Sequence, residues 1–109
     1  MRDPIAREFL LAFWKIHILH HAADGRGIYG QWMLEELNHH GYRLSPGTLY
    51  PILFRLERAG WLESRWEEDH PRVLGRPRRR FYQVTGVGAR NARAAVKDLE
   101  SAFRKVAWG

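Results

Sequence analysis

Cysteine is absent from all 109 residues, which removes disulfides, thiolate nucleophiles and cysteine metal ligands from consideration. Long apolar runs are missing too. Residues 9–19 are too few to span a bilayer and are interrupted by Lys15 and His17. No basic leader precedes that segment and no persuasive cleavage site follows it, so neither a signal peptide nor a membrane partner is expected, and a cytoplasmic location is. A third gap concerns charge. No acidic residue occurs between Asp69 and Asp98, whereas Arg72, Arg76, Arg78, Arg79, Arg80, Arg90, Arg93 and Lys97 fall inside that window. Finally, no nucleophile and base are placed together and no carboxylate pair stands at catalytic spacing. Neither an enzyme nor a cofactor is expected.

What is present is a small basic chain of ordinary apolar content. With 45% hydrophobic and 28% charged residues it can build one modest core, and a formal charge of +6 favours a polyanionic partner. Pro4 suits the first turn of a helix over 5–23, on which Phe9, Phe13, Ile16 and Leu19, with Leu10 and Trp14, recur at helical spacing. Asp24-Gly25-Arg26-Gly27 breaks it. A second helix is read over 29–39, with Trp32, Met33 and Leu37 inward and Gly41 as its left-handed stop.

The third helix has the clearest start. Ser45 supplies a capping oxygen, and Pro46 stands at the first helical position, where no N–H is needed. Leu49, Ile52, Leu53 and Leu56 share one face. Gly47, Pro51, Phe54, Arg55 and Arg58 point away, with Thr48 and Tyr50 on the flanks. Pro51 lacks an N–H and crowds the carbonyl of residue 47, so a kinked or loosened first turn is expected. Gly60 ends the helix.

Strand formers at 61–67 and 80–84 bracket the polar stretch 68–79, which reads as a wing. Thr85 caps a last helix over 86–106. Its Ala92, Ala95, Leu99, Ala102 and Val106 step by three and four, and Val96 and Phe103 widen the stripe. The expected fold is α+β and mainly α: a winged helix-turn-helix with a two-stranded wing and N- and C-terminal dimerisation helices. Residues 1–85 would form the DNA-binding domain, its first helix also serving the dimer, and 86–109 the C-terminal dimerisation helix. Phe9, Phe13, Val96, Leu99, Phe103 and Val106 are the expected dimer contacts.

A helix N-terminus offers free N–H groups and partial positive charge to phosphate. Ser45 and Pro46 therefore open a surface on which Thr48 and Tyr50 add neutral donors. Gly47 permits close approach, and Arg55 can bridge guanine O6 and N7. Arg76, Arg78 and Arg79 in the wing suit backbone phosphates or a narrow minor groove. Arg79 or Arg80 can instead face Glu63 or Glu67 across the hairpin. Double-stranded DNA, bound by a homodimer, is the expected partner. The alternative is a winged module that docks another protein through its aromatic surface without specific DNA binding. The pairs His20-His21 and His39-His40 diverge by about 100° on a helix, so no metal site is expected. Helix-end carbonyls are their expected partners.

The string Leu44-Ser-Pro-Gly-Thr-Leu-Tyr-Pro51, with Arg55-Leu-Glu57, Gly60-Trp-Leu-Glu63, Gly75-Arg-Pro77, Phe81-Tyr82 and Val84-Thr85, resembles the PadR-like family of prokaryotic transcriptional regulators. The resemblance covers about residues 10–103. It implies a winged-helix dimer, usually a repressor, with the single C-terminal helix of the short-form members. It also implies a small-molecule effector site for planar aromatic compounds between the terminal helices and the winged domain. Trp14, Phe103 and Trp108 either line such a pocket or belong to the dimer core. The chain departs from the family at Tyr29-Gly30-Gln31, where a His-Gly-Tyr turn is frequent, and at Phe54, where a basic residue is frequent.

Overall fold

A computed structural model describes residues 3–106. The Asp3 carboxylate accepts the Ile5 amide at 2.8 Å and opens α1 (Pro4–His21). After the glycine turn come β1 (Ile28–Tyr29) and α2 (Gly30–His39), then α3 (Pro46–Arg58). α3 leaves through Gly60 at φ 80°, and the next amide, Trp61, returns to the Leu56 carbonyl at 2.9 Å. This left-handed closure satisfies the helix end and delivers the chain directly into β2 (Leu62–Trp66). A four-residue helix α4 (Pro71–Leu74) sits in the wing before β3 (Arg80–Val84) and α5 (Gly86–Lys105). Thr85 caps α5 as expected, its hydroxyl accepting the Gly88 amide at 2.9 Å.

The sheet has the order β1-β3-β2, antiparallel throughout, with Leu62 opposite Val84, Trp66 opposite Arg80 and Ile28 opposite Tyr82. Three expectations change here. The two-stranded wing gains a third strand, because Ile28 is buried against the core and Tyr29 pairs with Phe81 instead of starting a helix. Two residues are too few to carry a period-two signature. The wing is not loop alone: His70 Nδ1 accepts the Arg72 amide at 3.1 Å and organises α4. Ser45 does not cap with its side chain. Its carbonyl accepts the Thr48 and Leu49 amides at 3.0 Å, while its Oγ lies 3.4 Å from Thr48 Oγ1. α3 is helical across Pro51, which stands exposed on the outer face.

Leu49, Ile52, Leu53 and Leu56 of α3 pack with Ile18 and Leu19 of α1, Met33 and Leu37 of α2, and Leu62 and Tyr82 of the sheet. Burying each such side chain stabilises the fold by roughly 1.5–3 kcal/mol. α5 contributes little to this core; Gly88, lying against the Trp61 carbonyl, is its one buried residue. The shape follows. The molecule measures 59 × 34 × 21 Å with a radius of gyration of 15.8 Å, against about 13 Å for a compact domain of this length.

Candidate nucleic-acid interface

The amphipathic pattern of α3 turns its polar side to solvent. Ser45, Pro46, Gly47, Tyr50, Phe54, Arg55 and Arg58 are all on the solvent side, and Thr48 is half-buried. A Cβ built on Gly47 would meet nothing closer than the Ser45 hydroxyl at 3.7 Å, so this corner is uncovered by the rest of the chain. The Arg58 guanidinium lies 5.7 Å from the Phe54 ring. Tyr50 packs over Gly30 at the start of α2; a Cβ at Gly30 would fall 2.5 Å from the Tyr50 hydroxyl.

The wing arginines divide into two groups. Arg76 is bound to Glu67 through both terminal nitrogens, with Nη2 donating to Oε2 at 3.0 Å, and Glu67 Oε1 also accepts the Arg79 amide at 2.8 Å. The Arg76 hydrogen bonds, helped by that amide, push the Glu67 carboxyl down to about 2. Arg80 donates to Ser64 Oγ at 2.9 Å and to Glu57 Oε1 at 3.2 Å, and Ser64 in turn donates to Glu57. Its partner is therefore on α3, not Glu63 or Glu67, because the register places Arg80 opposite Trp66 on the face turned toward α3. This triad ties the angle of α3 to the sheet. Arg78 and Arg79 form the second group. Arg78 Nε donates to the Asp69 carbonyl at 3.0 Å, and the Arg79 guanidinium stacks 4.1 Å from the centre of Tyr29. Neither has a carboxylate partner among the described residues.

One cleft of about 440 Å³ joins the two halves of this surface. Tyr50 of α3, Tyr29 and Gln31 at the β1–α2 junction, and Trp66, Arg78 and Arg79 of the wing all line it. Trp66 was not among the expected site residues, Glu57 stood only within Arg55-Leu-Glu57, and Tyr29 only at the departure from the family's His-Gly-Tyr turn. Glu67 was expected only as a partner of Arg79 or Arg80; that it holds Arg76 depends on a register that a twelve-residue wing does not announce.

Elsewhere, Phe9, Phe13, Leu99, Phe103 and Val106 are exposed along α1 and the α5 region, and Val96 is half-buried. Trp14 is different. It is 4% exposed, packed edge-on against Tyr42 inside the chain's own core, and so presents no face to a partner. Trp108 lies outside the described residues. A groove of about 840 Å³ between α1 and α5 is walled by Ile16, Leu19, Trp61, Val84, Val96 and Leu99. Trp14 and Phe103 do not line it.

His21 and His40 meet at Glu36 instead of facing helix-end carbonyls. His40 and His21 lie 3.1 and 3.9 Å from the Glu36 carboxylate, and the His17 ring is 5.7 Å from that of His40. Burial first, then mutual repulsion, holds His17 and His21 below the ordinary histidine value. Among the described residues no group of three or more such ligands is arranged to hold a metal ion, and no helix is long and apolar enough to cross a membrane.

Comparison with known proteins gives a consistent result. The family model for the transcriptional regulator PadR-like family matches residues 18–94. Transcriptional regulator Rv3488 of Mycobacterium tuberculosis is 45% identical over 103 residues, spanning 94% of this chain and 91% of the relative. Among solved structures, a PadR family transcriptional regulator from Eggerthella lenta superposes with a TM-score of 0.72 at 24% identity, covering 94% of this chain and 88% of its own. A transcriptional regulator from Clostridium thermocellum reaches 0.74 at 20% identity, with 95% and 93% covered. These two likenesses concern the fold.

Proposed function

The chain belongs to the PadR-like family of transcriptional regulators, and from that premise we propose that it is a homodimeric repressor that holds operator DNA with α3 and the wing. In this reading residues 1–85 are the DNA-binding domain and 86–109, which contain α5, the dimerisation region. One observation carries it: the exposed polar and cationic side of α3 runs through the Tyr50 cleft into the wing arginines without an acidic residue lining that cleft. Ser45, Pro46, Gly47 and Thr48 meet the backbone at the start of α3, and Arg55 reaches base edges in the major groove. Tyr50, Arg78 and Arg79 contact flanking phosphates. Arg76, engaged by Glu67, serves chiefly to set the wing's shape. An acidic α3 face would favour a protein-docking module instead, and Arg55, Arg58 and the wing arginines oppose that.

Exposed apolar residues on α1 and α5 support the dimer, since stripes of this kind normally find a partner. A twofold axis there would set the two α3 helices about 34 Å apart, one turn of DNA. The α1–α5 groove lies within the size range of small-molecule sites, roughly 300–1,000 Å³. A planar aromatic effector in it would release the operator by shifting α1 and α5 against the winged core. Footprinting on the DNA upstream of the protein's own gene is the direct test. Two protected half-sites one helical turn apart are expected; a footprint with a single half-site, or none, would defeat the homodimeric-repressor reading.

A further inference from the structure

We propose that Phe54, on the outermost ridge of α3, is a thymine reader: it selects operator DNA by packing on a thymine C5-methyl group in the major groove. This rests on the DNA-binding reading above and adds to it the kind of base that the helix selects. At about 100° per residue, Gly47, Pro51, Phe54 and Arg58 fall within roughly 60° of one another around the helix. The buried Leu49, Ile52, Leu53 and Leu56 are centred about 180° away from them. A helix that lays its solvent side in a groove therefore carries this line of residues deepest. All four are exposed. Arg58 lies 5.7 Å from the Phe54 ring, yet 50% of the phenylalanine surface stays open to solvent.

The chemistry of the ridge narrows what it can touch. Before Arg58 it has no hydrogen-bonding side chain: glycine has none, proline offers only its ring, and phenylalanine only its aromatic face. Pressed on the amino groups of adenine or cytosine, or on guanine O6 and N7, such a surface removes water and returns no hydrogen bond. The thymine methyl is the one apolar group that the major-groove edges present. Pro51 stands about 4.5 Å from Phe54 along the helix axis, near the 3.4 Å or so between stacked base pairs, so it extends the apolar contact to a neighbouring pair. Nothing beside the ridge repels DNA. Glu57 is the one carboxylate of α3, and Arg80 and Ser64 hold it on the side turned to the sheet. Arg55, on the flank of the ridge, keeps its separate contact with base edges.

The test takes the duplex protected in footprinting and replaces each thymine of one half-site singly by deoxyuridine, which removes the methyl and keeps the base pair. Affinity is measured for wild type, F54A and F54Q, the variants first being shown to melt cooperatively. Wild type should bind about fourfold more weakly, the effect of one buried carbon group, when a particular thymine is replaced. F54A and F54Q should bind the unmodified duplex more weakly and lose the distinction at that same position, so that the two changes are not additive. If no thymine of the half-site is methyl-sensitive in wild type, the reader is wrong while the regulator reading stands. Undiminished sensitivity in a folded Phe54 variant overturns it equally, because the methyl then meets another residue. Failure of wild type to protect any duplex overturns both.

Discussion

α3 and α5 are both amphipathic, yet the molecule treats them differently. α3 buries Leu49, Ile52, Leu53 and Leu56 within its own chain and turns a polar face outward. α5, at 20 residues, buries only Gly88 and leaves Val87, Leu99 and Phe103 largely in solvent. A helix about 30 Å long gains most of its stability from packing, not from propensity. The winged core is therefore a finished unit within one chain, and α5 is a helix whose apolar stripe is left unmatched.

The contrast can be broken experimentally. Leu53→Ala should destabilise the fold by about 2–5 kcal/mol, whereas Leu99→Ala in the dissociated chain should stay within about 0.5 kcal/mol; urea unfolding at low protein concentration compares them directly. Equal losses would mean that α5 is as deeply integrated as α3. The next effect concerns association. Phe103→Glu should shift sedimentation from dimer to monomer while leaving the monomer's unfolding midpoint almost unchanged, and persistence of the dimer would place its interface elsewhere.

The wing offers a smaller contrast between paired and unpaired arginines. Arg78→Ala should reduce the salt slope of DNA binding by about 0.9 for each phosphate it neutralises. Arg76→Ala should instead lower affinity through wing disorder, seen as faster amide exchange at Glu67 and Arg79. Similar slope changes for both variants would erase the distinction drawn from the Glu67 pair.

The smallest expected effect is on pH dependence. Burial holds His17 and His21 below the 6.5 of a free histidine, with the neighbouring histidines adding to the shift and Glu36 opposing it. The unfolded chain thus binds protons more readily. Stability is complete above about 6.5 and declines as pH falls from there toward the folded values. Urea midpoints measured from neutral pH down to about 5.5 should show this, and His17→Gln should flatten the curve. A midpoint insensitive to pH in wild type would remove the histidine cluster from the stability account.

Much of this arrangement was legible in the residues. The inward face of α3, the stop at Gly60, the cap at Thr85 and the order of the long helices and the two wing strands all come from short-range rules of period, capping and turn chemistry. The family resemblance rests chiefly on the contiguous string 44–51, corroborated by shorter stretches between 55 and 85, and the family comparison agrees with it. That Trp14 turns into the chain's own core is not legible in the pattern, because period alone cannot say whether a helix face meets its own core or another chain. The third strand escaped because two residues show no alternation.

The sequence by itself determined the four long helices and the two wing strands, their apolar faces and the sign of the charge, since each depends on residues within one or two turns of each other. Only the tertiary structure decided which arginines remain available. Arg76 and Arg80 find Glu67 and Glu57 across separations of nine and 23 residues, while Arg79 finds the ring of Tyr29. Such partners are set by hairpin register and helix docking, which are collective outcomes of packing, and no local pattern encodes them.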